Sequence, residues 1–366
     1  MCARNARSPG QGFGSFRRIK PKVPRDRFRN IELGEGMFNW KDKQVLVTGA
    51  GGFIASHLVE RLLQEGARVR AFVRYTSRSD VGMLRFLSPE AFSQLEIVRG
   101  DLRDAEAVRE AMRAVDTVFH LGALIAIPYS YVHPREVIET NVMGTLNVLM
   151  AAREFKPRCV VHTSTSEVYG TARYTPIDEA HPLQGQSPYS ASKIGADKVA
   201  ESFYRSFDVP VTILRPFNTY GPRQSTRAVI PTIITQALTC DEVHLGSLEP
   251  SRDFTYVADT AEGFLCAASA EGIFGQETNL GNDNTIRIGD LVEKIFSILG
   301  KSPKVVTDAQ RIRPGKSEVL KLWASNQRAS ETIGWKPRIS LDEGLRLTIE
   351  WISAHLDLYQ PGHYTV

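Results

Sequence analysis

The chain has 366 residues, of which 42% are hydrophobic and 23% are charged, and its formal net charge is +4. This length suits two domains, or one large α/β domain with an addition, and it is ample for a sizeable core. The small net charge gives no indication of nucleic-acid binding but is compatible with an anionic substrate. Because no apolar run approaches the roughly 18 residues of a membrane-spanning helix, we expect no membrane partner.

The cysteines and the N-terminal residues indicate in which cellular compartment the protein is expected. Four cysteines are scattered, with no Cys-x-x-Cys spacing and no histidine cluster nearby: Cys2, Cys159, Cys240 and Cys266. This pattern predicts reduced thiols, no metal site and a cytoplasmic protein. Residues 1–43 are rich in Arg, Lys, Gly and Pro but contain no apolar signal region, so we interpret them as a basic N-terminal arm.

A strand, a glycine-rich turn and a helix follow the arm. Residues 44–48 are apolar, residues 49–55 read Gly-Ala-Gly-Gly-Phe-Ile-Ala, and leucines then recur at helical spacing. Gly49 permits a tight turn and Gly52 lets the backbone approach a pyrophosphate, which the first helical N–H groups, near Phe53 and Ile54, would face. Ala55 replaces the third glycine, a tolerated variant. This arrangement predicts a dinucleotide-binding fold.

The second strand is predicted at residues 68–73, and its end bears on the choice of cofactor. NAD-binding proteins of this type carry an acidic residue there, which binds the ribose hydroxyls. Here Arg74, Ser77 and Arg78 follow the strand and no carboxylate does. These side chains suit a 2′-phosphate, so the sequence favours NADP over NAD.

The third and fourth strands, predicted at residues 95–102 and 117–123, add further cofactor contacts. Asp101 ends the third strand near the expected adenine amino group, and Leu102 follows it. Leu121 and Ala123 flank a small-residue turn that can approach the cofactor. We interpret His120 as a packed strand residue.

An apolar loop and a long helix come next. Residues 125–131 form the predicted loop, placed to touch a substrate through Tyr129. Residues 140–153 have the pattern of an amphipathic helix, in which Asn141 is interpreted as a structural hydrogen-bonding residue.

The most informative polar stretch follows a buried strand at residues 159–161. It reads Thr163-Ser164-Thr165-Ser166-Glu167-Val168-Tyr169-Gly170 and lies where open α/β sheets bind ligands. A helix start at Ser187-Pro188 then brings Tyr189 and Lys193, four residues apart, onto one face. A lysine ammonium beside a phenol favours the phenolate, which could serve as a base.

The remaining chain predicts a second functional portion. A buried strand at residues 211–214 leads into Arg-Pro-Phe-Asn-Thr-Tyr-Gly-Pro, after which the strand–helix alternation weakens. We therefore predict an α/β protein with a Rossmann-type doubly wound parallel sheet at residues 44–220. A smaller C-terminal substrate-binding portion at residues 221–366 would be interleaved with it.

Five motifs occur in one order along the chain: Thr-Gly-Ala-Gly-Gly-Phe-Ile, Gly-Asp-Leu, Ser-Thr-Ser-Glu-Val-Tyr-Gly, Tyr-x-x-x-Lys and Arg-Pro-Phe-Asn-x-Tyr-Gly-Pro. In this the chain resembles the extended short-chain dehydrogenase/reductases, in their nucleotide-sugar epimerase/dehydratase branch. The pair Ser166-Glu167 is similar to that of the 4,6-dehydratases. Val73-Arg74, at the end of the second strand, is similar to the corresponding residues of the GDP-mannose 4,6-dehydratases. Residues 123–130 depart from the latter toward bacterial dehydratases of legionaminic-acid-type pathways, which leaves sugar and nucleotide (UDP-, GDP-, CDP- or dTDP-linked) open.

The resemblance implies roles for individual residues. Thr165 and Tyr189 would act at the sugar O4, Lys193 on the nicotinamide ribose, and Ser166 and Glu167 at C5 and C6. Further implied contacts, on the diphosphate side of the substrate, are Asn218, Arg252 and Arg313. A tightly bound cofactor and a homodimer through the two long helices are implied as well.

The implied reaction is a 4,6-dehydration. Oxidation at C4 acidifies the C5 hydrogen, a carboxylate at Glu167 removes it, water leaves from C6, and the stored hydride returns. A UDP-uronic acid decarboxylase and a nucleotide-sugar 4-epimerase of the same family stay open, as does a non-catalytic redox sensor.

Overall fold

The computed structural model describes residues 38–312 and 314–359. Seven parallel strands form its central sheet. They are β1 (Gln44–Thr48), β2 (Arg68–Arg74), β3 (Glu96–Gly100), β4 (Thr117–His120), β5 (Cys159–Thr163), β6 (Val211–Pro216) and β11 (Glu277–Leu280). Their order across the sheet is β11-β6-β5-β4-β1-β2-β3, and every neighbouring pair is parallel. The predicted Rossmann-type α/β fold is confirmed.

Helices cover both faces of this sheet, which is why its inner strands β1, β4, β5 and β6 are almost entirely buried. The helices before β6 are α1 (Phe53–Gln64), α2 (Pro89–Ser93), α3 (Ala105–Ala111), α4 (Ile127–Val132), α5 (Pro134–Ile138), α6 (Gly144–Phe155) and α7 (Pro188–Phe207). One core packs residues such as Val45 and Phe119 beneath α1. A second core, on the opposite face, packs Leu46 and Val160 beneath α3, α6 and α7.

The C-terminal portion is built from short strands and five further helices. The strands pair two by two and are β7 (Asn218–Tyr220), β8 (Glu242–Leu245), β9 (Ser251–Arg252), β10 (Phe254–Tyr256), β12 (Ile286–Arg287) and β13 (Lys304–Thr307). The helices are α8 (Val229–Thr239), α9 (Val257–Ser269), α10 (Ile288–Leu299), α11 (Gln327–Thr332) and α12 (Leu341–Ala354). This portion has its own apolar core, while α9 packs on α1 and β11 joins the central sheet.

Two predicted elements differ in the structure. The predicted loop at residues 125–131 is largely helix α4, because Pro128 lies in its first turn, where proline is tolerated. The predicted helix at residues 140–153 begins as a π-helical turn, Glu139–Met143, before α6. The strand predictions are confirmed, with ends that move by one to three residues at all but the first.

The predicted arm lies mostly at residues 1–37, outside the described residues. Trp40, near the start of the described chain, is 1% exposed and packs against Phe119 of β4. Within residues 38–312 and 314–359, none of the helices is both long and apolar enough to span a bilayer.

Candidate active site

The turn between β1 and α1 fits a dinucleotide phosphate. Gly49 has φ +66°, and a Cβ there would lie 2.6 Å from Cα of Gly122, so the turn packs directly on the end of β4. Gly52 caps α1 without a side-chain hydrogen bond. The first N–H groups of α1, from Phe53 and Ile54 onward, can therefore face an anion.

The loop after β2 differs from the expected 2′-phosphate site. Arg74, Ser77 and Arg78 are all exposed. Nη2 of Arg74 lies 3.6 Å from Oε1 of Glu136 on α5, and the Tyr129 hydroxyl donates to Oε2 of the same carboxylate at 2.5 Å. A negative charge from a distant part of the chain thus stands beside Arg74, and local sequence gives no signal of it.

The ends of β3 and β4 supply the other predicted cofactor contacts. Asp101 accepts hydrogen bonds from Nε and Nη2 of Arg103 at 3.0 and 2.7 Å, and these bonds lower its pKa below the usual value. Leu102 is buried, and its Cδ1 would lie 2.7 Å from a Cβ at Gly122. Leu121 and Ala123, on either side of Gly122, are half-buried. These groups line the same sheet edge as the glycine-rich turn.

The predicted catalytic residues meet at the carboxyl end of β5. A 3₁₀ turn, Ser166–Tyr169, follows the strand, and the Thr165 hydroxyl caps it by accepting the Glu167 N–H at 3.2 Å. Helix α7 starts at a capping box formed by Ser187 and Ser190, which holds Tyr189 in its first turn. The Thr165 side chain is close enough to the Tyr189 hydroxyl to lower the pKa of the phenol. Ser166 is almost fully buried and Glu167 half-buried.

Burial dominates the pKa values of Tyr189 and Lys193. Burial, opposed by the Thr165 hydrogen bond and reinforced by the charges of Glu167 and Asp197, raises the pKa of Tyr189 above its ordinary value. The Lys193 ammonium instead donates to the carbonyl of Thr163 at 2.6 Å. Burial lowers the pKa of Lys193 to about 8. Lys193 is not among the groups that shift the pKa of Tyr189 in this arrangement, so stabilisation of the phenolate by Lys193 stays a prediction.

The predicted substrate residues lie on three different elements. Tyr129 is on α4, bonded to Glu136. Oδ1 of Asn218, on β7, is buried without a hydrogen-bond partner among the described residues. Arg252, on β9, is 7% exposed and bonds Glu318 at 3.3 Å. Arg313 lies outside the described residues.

Sequence reasoning missed a buried polar layer behind Tyr189 and Lys193. Its central member is Asp197, which is 1% exposed and bonds Arg215 of β6. Asp197 is four residues after Lys193, and that helical spacing was the available signal.

Comparison with known proteins gives a consistent result. Residues 46–348 match the family model of GDP-mannose 4,6 dehydratase. The UDP-glucose 4-epimerase of Mycolicibacterium smegmatis is 31% identical over 315 residues, covering 84% of this chain and 98% of that protein. The dTDP-D-glucose 4,6-dehydratase of Mus musculus is 29% identical over 321 residues, covering 84% and 88%.

A solved structure extends the match to the fold. The dTDP-glucose 4,6-dehydratase of Streptomyces venezuelae, solved with NAD bound, superposes with a TM-score of 0.78 at 28% identity, covering 87% of this chain and 99% of that one. The presence of NAD in this relative gives no support to the predicted preference for NADP and suggests NAD instead.

Proposed function

The chain belongs to the extended short-chain dehydrogenase/reductase family of nicotinamide-dependent nucleotide-sugar dehydratases and epimerases, and we propose that it is a nucleotide-sugar 4,6-dehydratase. One observation carries this proposal: Glu167 lies in the 3₁₀ turn directly after β5, where its N–H donates to Oγ1 of Thr165 at 3.2 Å, and this turn packs on α7, whose first turn holds Tyr189. A carboxylate beside the residue that handles O4 is suited to removing a proton from the neighbouring C5. Epimerisation at C4 leaves the C5–H bond intact, so a 4-epimerase needs no base at that position.

The residues divide the proposed reaction between them. Tyr189 takes the O4 proton, while the Thr165 hydroxyl bonds the phenol and favours its ionised form. The nicotinamide, when bound, would accept a hydride from C4, so that C4 is a ketone during the reaction, and would return that hydride to C6. Glu167 removes the C5 proton, which that ketone has made acidic. Glu167 or Ser166 then protonates the leaving 6-hydroxyl as water. When the hydride is delivered to C6, C5 takes up a proton, which balances the one that Tyr189 removed from O4. The net change is loss of one water, without net oxidation.

We propose NAD as the cofactor, kept bound between turnovers because the reaction regenerates it. The pairing of Arg74 with Glu136 supports this choice. A 2′-phosphate beside Arg74 would meet the like charge of Glu136 at the same place. The substrate would be a UDP-, GDP-, CDP- or dTDP-linked sugar, with Arg252 and Asn218 on its diphosphate side.

We also propose a homodimer formed through α6 and α7. Apolar side chains on and next to these helices are exposed: Ile138, Met143, Met150, Tyr204 and Phe207. Pairing with a second copy would bury them. Sedimentation of the full chain tests this; Met150→Lys should shift the mass toward a monomer, whereas a monomeric wild type would refute it.

A panel of nucleotide sugars tests the proposed reaction. Incubation followed by mass spectrometry should show loss of one water from one of them. Loss of carbon dioxide from a uronic acid would indicate the decarboxylase, and an isomer of unchanged mass the epimerase; either result would overturn the dehydratase.

A variant at Glu167 tests the role of the carboxylate. Glu167→Gln should still oxidise C4 but lose exchange of the C5 hydrogen with solvent deuterium, followed by NMR. Glu167→Asp, which keeps a carboxylate, should retain part of the exchange, and Glu271→Gln, an exposed change elsewhere, should retain all of it. Exchange at the wild-type rate in Glu167→Gln would remove Glu167 from the mechanism.

A further inference from the structure

Asp197 lies at the centre of a buried polar cluster beneath the catalytic helix. Its Oδ2 accepts hydrogen bonds from Oγ of Ser164 at 2.8 Å and from Nε and Nη2 of Arg215 at 3.2 and 3.1 Å. Its Oδ1 lies 3.3 Å from Nε2 of His162. Both Asp197 and Arg215 are 1% exposed. A buried carboxylate with this many partners is held in one position.

These contacts fix α7 on β5 in a particular register. His162 and Thr163 are the last two residues of β5, and Ser164 follows them. Thr163 accepts the Lys193 ammonium through its carbonyl at 2.6 Å, while the residues on either side of it contact Asp197. Since Lys193 and Asp197 are one helical turn apart, two adjacent turns of α7 are tied to three consecutive residues, the last two of β5 and the one after it.

The charges around Lys193 come from four strands and the turn after β5. On β4 and β5, burial lowers the pKa of His120 and of His162 below its usual value, and the charge of Lys193 lowers both further. Arg215 on β6 is a second buried cation, which Glu277 of β11 also contacts at 3.3 Å. Glu167, in the turn after β5, is half-buried.

Asp197 is the fully buried carboxylate among these described residues, since Glu167 and Glu277 are both partly exposed. Burial opposes its ionisation, but His162, Arg215 and Lys193 together hold its pKa below the ordinary value. Its charge in turn raises the pKa of Lys193 against the larger effect of burial.

We propose that Asp197 is a positioning residue for catalysis: its contacts with Arg215, Ser164 and His162 hold α7 in the register that places the Lys193 ammonium on the carbonyl of Thr163, and they put a buried negative charge one helical turn from that ammonium. The inference rests on the proposed function for the catalytic role of Lys193, but its first test needs no substrate. A purely structural Asp197 would hold the helix without setting the charge of its neighbour.

The sign of the effect can be worked out for both catalytic groups. The Asp197 charge raises the pKa of Lys193 and also that of Tyr189. The reaction needs Tyr189 able to lose its proton and Lys193 still holding its own. Neutralising Asp197 should therefore move both limbs of the pH–rate profile to lower pH. A structural defect would lower the rate at every pH and leave the limbs in place.

The first experiment titrates Lys193 directly. In the full chain carrying ¹³C-labelled lysine, the Cε resonance that disappears in Lys193→Met reports its ionisation. Asp197→Asn should lower its midpoint by about one pH unit, and Asp197→Glu should restore it. An unchanged midpoint in folded Asp197→Asn would overturn the proposal.

Because Asp197→Asn leaves two buried cations, it can fail to fold. The double variant Asp197→Asn/Arg215→Gln removes the buried pair together. Its midpoint should still lie below that of the wild type, by less than in Asp197→Asn because loss of the Arg215 cation acts in the opposite direction. A wild-type measurement carries no folding risk: carboxyl ¹³C shifts should show Asp197 ionised at neutral pH, and a protonated Asp197 would overturn the proposal. Failure of the proposed function would appear separately, in the sugar panel, with the Lys193 titration intact.

Discussion

Helix α7 and the loop after β2 hold their charged side chains in opposite ways. On α7, Lys193 and Asp197 are 4% and 1% exposed, and the ends of β5 and β6 supply their partners. In the loop, Arg74 is largely exposed and its contact with Glu136 is 3.6 Å long. Charges act strongly in the first setting and are screened in the second. Substitutions in α7 should therefore have large effects and substitutions in the loop small ones.

The largest effect is expected at Tyr189. Tyr189→Phe removes the group that takes the O4 proton, so kcat should fall by about 10³-fold, within the usual range for a positioned acid or base. Cofactor binding, followed by fluorescence titration, should stay close to wild type because the ring still fills its site. A rate near that of the wild type would exclude Tyr189 as the base.

A tenfold effect is expected at Thr165. The Thr165 hydrogen bond lowers the pKa of Tyr189 against the effect of burial. Thr165→Val removes this bond, so the pKa of Tyr189 should rise and the acid limb of the pH–rate profile should move to higher pH. Since a hydrogen bond to a charged group is worth about 1.5–3 kcal/mol, the rate at pH 7 should fall about tenfold or more.

Thr165→Ser provides the matched control. It keeps the hydroxyl and should keep the wild-type profile. If Thr165→Val lowered the rate equally at all pH values, Thr165 would act on substrate binding and not on the ionisation of Tyr189.

The same contrast explains what the sequence could predict. The strands feeding the site are continuous apolar runs, and Tyr189 and Lys193 share one helical face, so their meeting at the end of β5 follows from local pattern. The register of α7 on β5 does not, because it depends on Asp197 reaching Arg215 across 18 residues of chain.

The loop after β2 was less predictable for a related reason. Its own residues are basic, which favoured a 2′-phosphate, but its negative partner, Glu136, lies on α5, 62 residues from Arg74. Pro128 leads the sequence to predict a loop at residues 125–131, where the structure has the short helix α4, which brings Tyr129 to the same carboxylate. In both cases the local sequence correctly predicts basic or apolar residues, but it gives no information on their contact with Glu136.

The smallest effect is expected at Glu136, and it tests whether the exposed loop selects the cofactor. The side chains of Arg74 and Glu136 are 62% and 27% exposed, so solvent screens their interaction. Glu136→Gln should strengthen NADP binding by a few-fold and leave NAD binding nearly unchanged, measured by calorimetric titration of cofactor-free full chain. Glu139→Gln, a nearby half-exposed carboxylate paired with Arg135, should change neither.

In Arg74→Ala, Glu136→Gln should lose the part of its effect on NADP that comes from freeing the Arg74 cation, while the relief of direct repulsion between Glu136 and the 2′-phosphate should remain, so the two substitutions should not be additive. An equal gain for both cofactors would mean that Glu136 acts on the shape of the loop. Tighter binding of NADP than NAD by the wild type would mean that Arg74 outweighs Glu136 even in solvent, and the cofactor assignment would return to the one that the basic loop predicts.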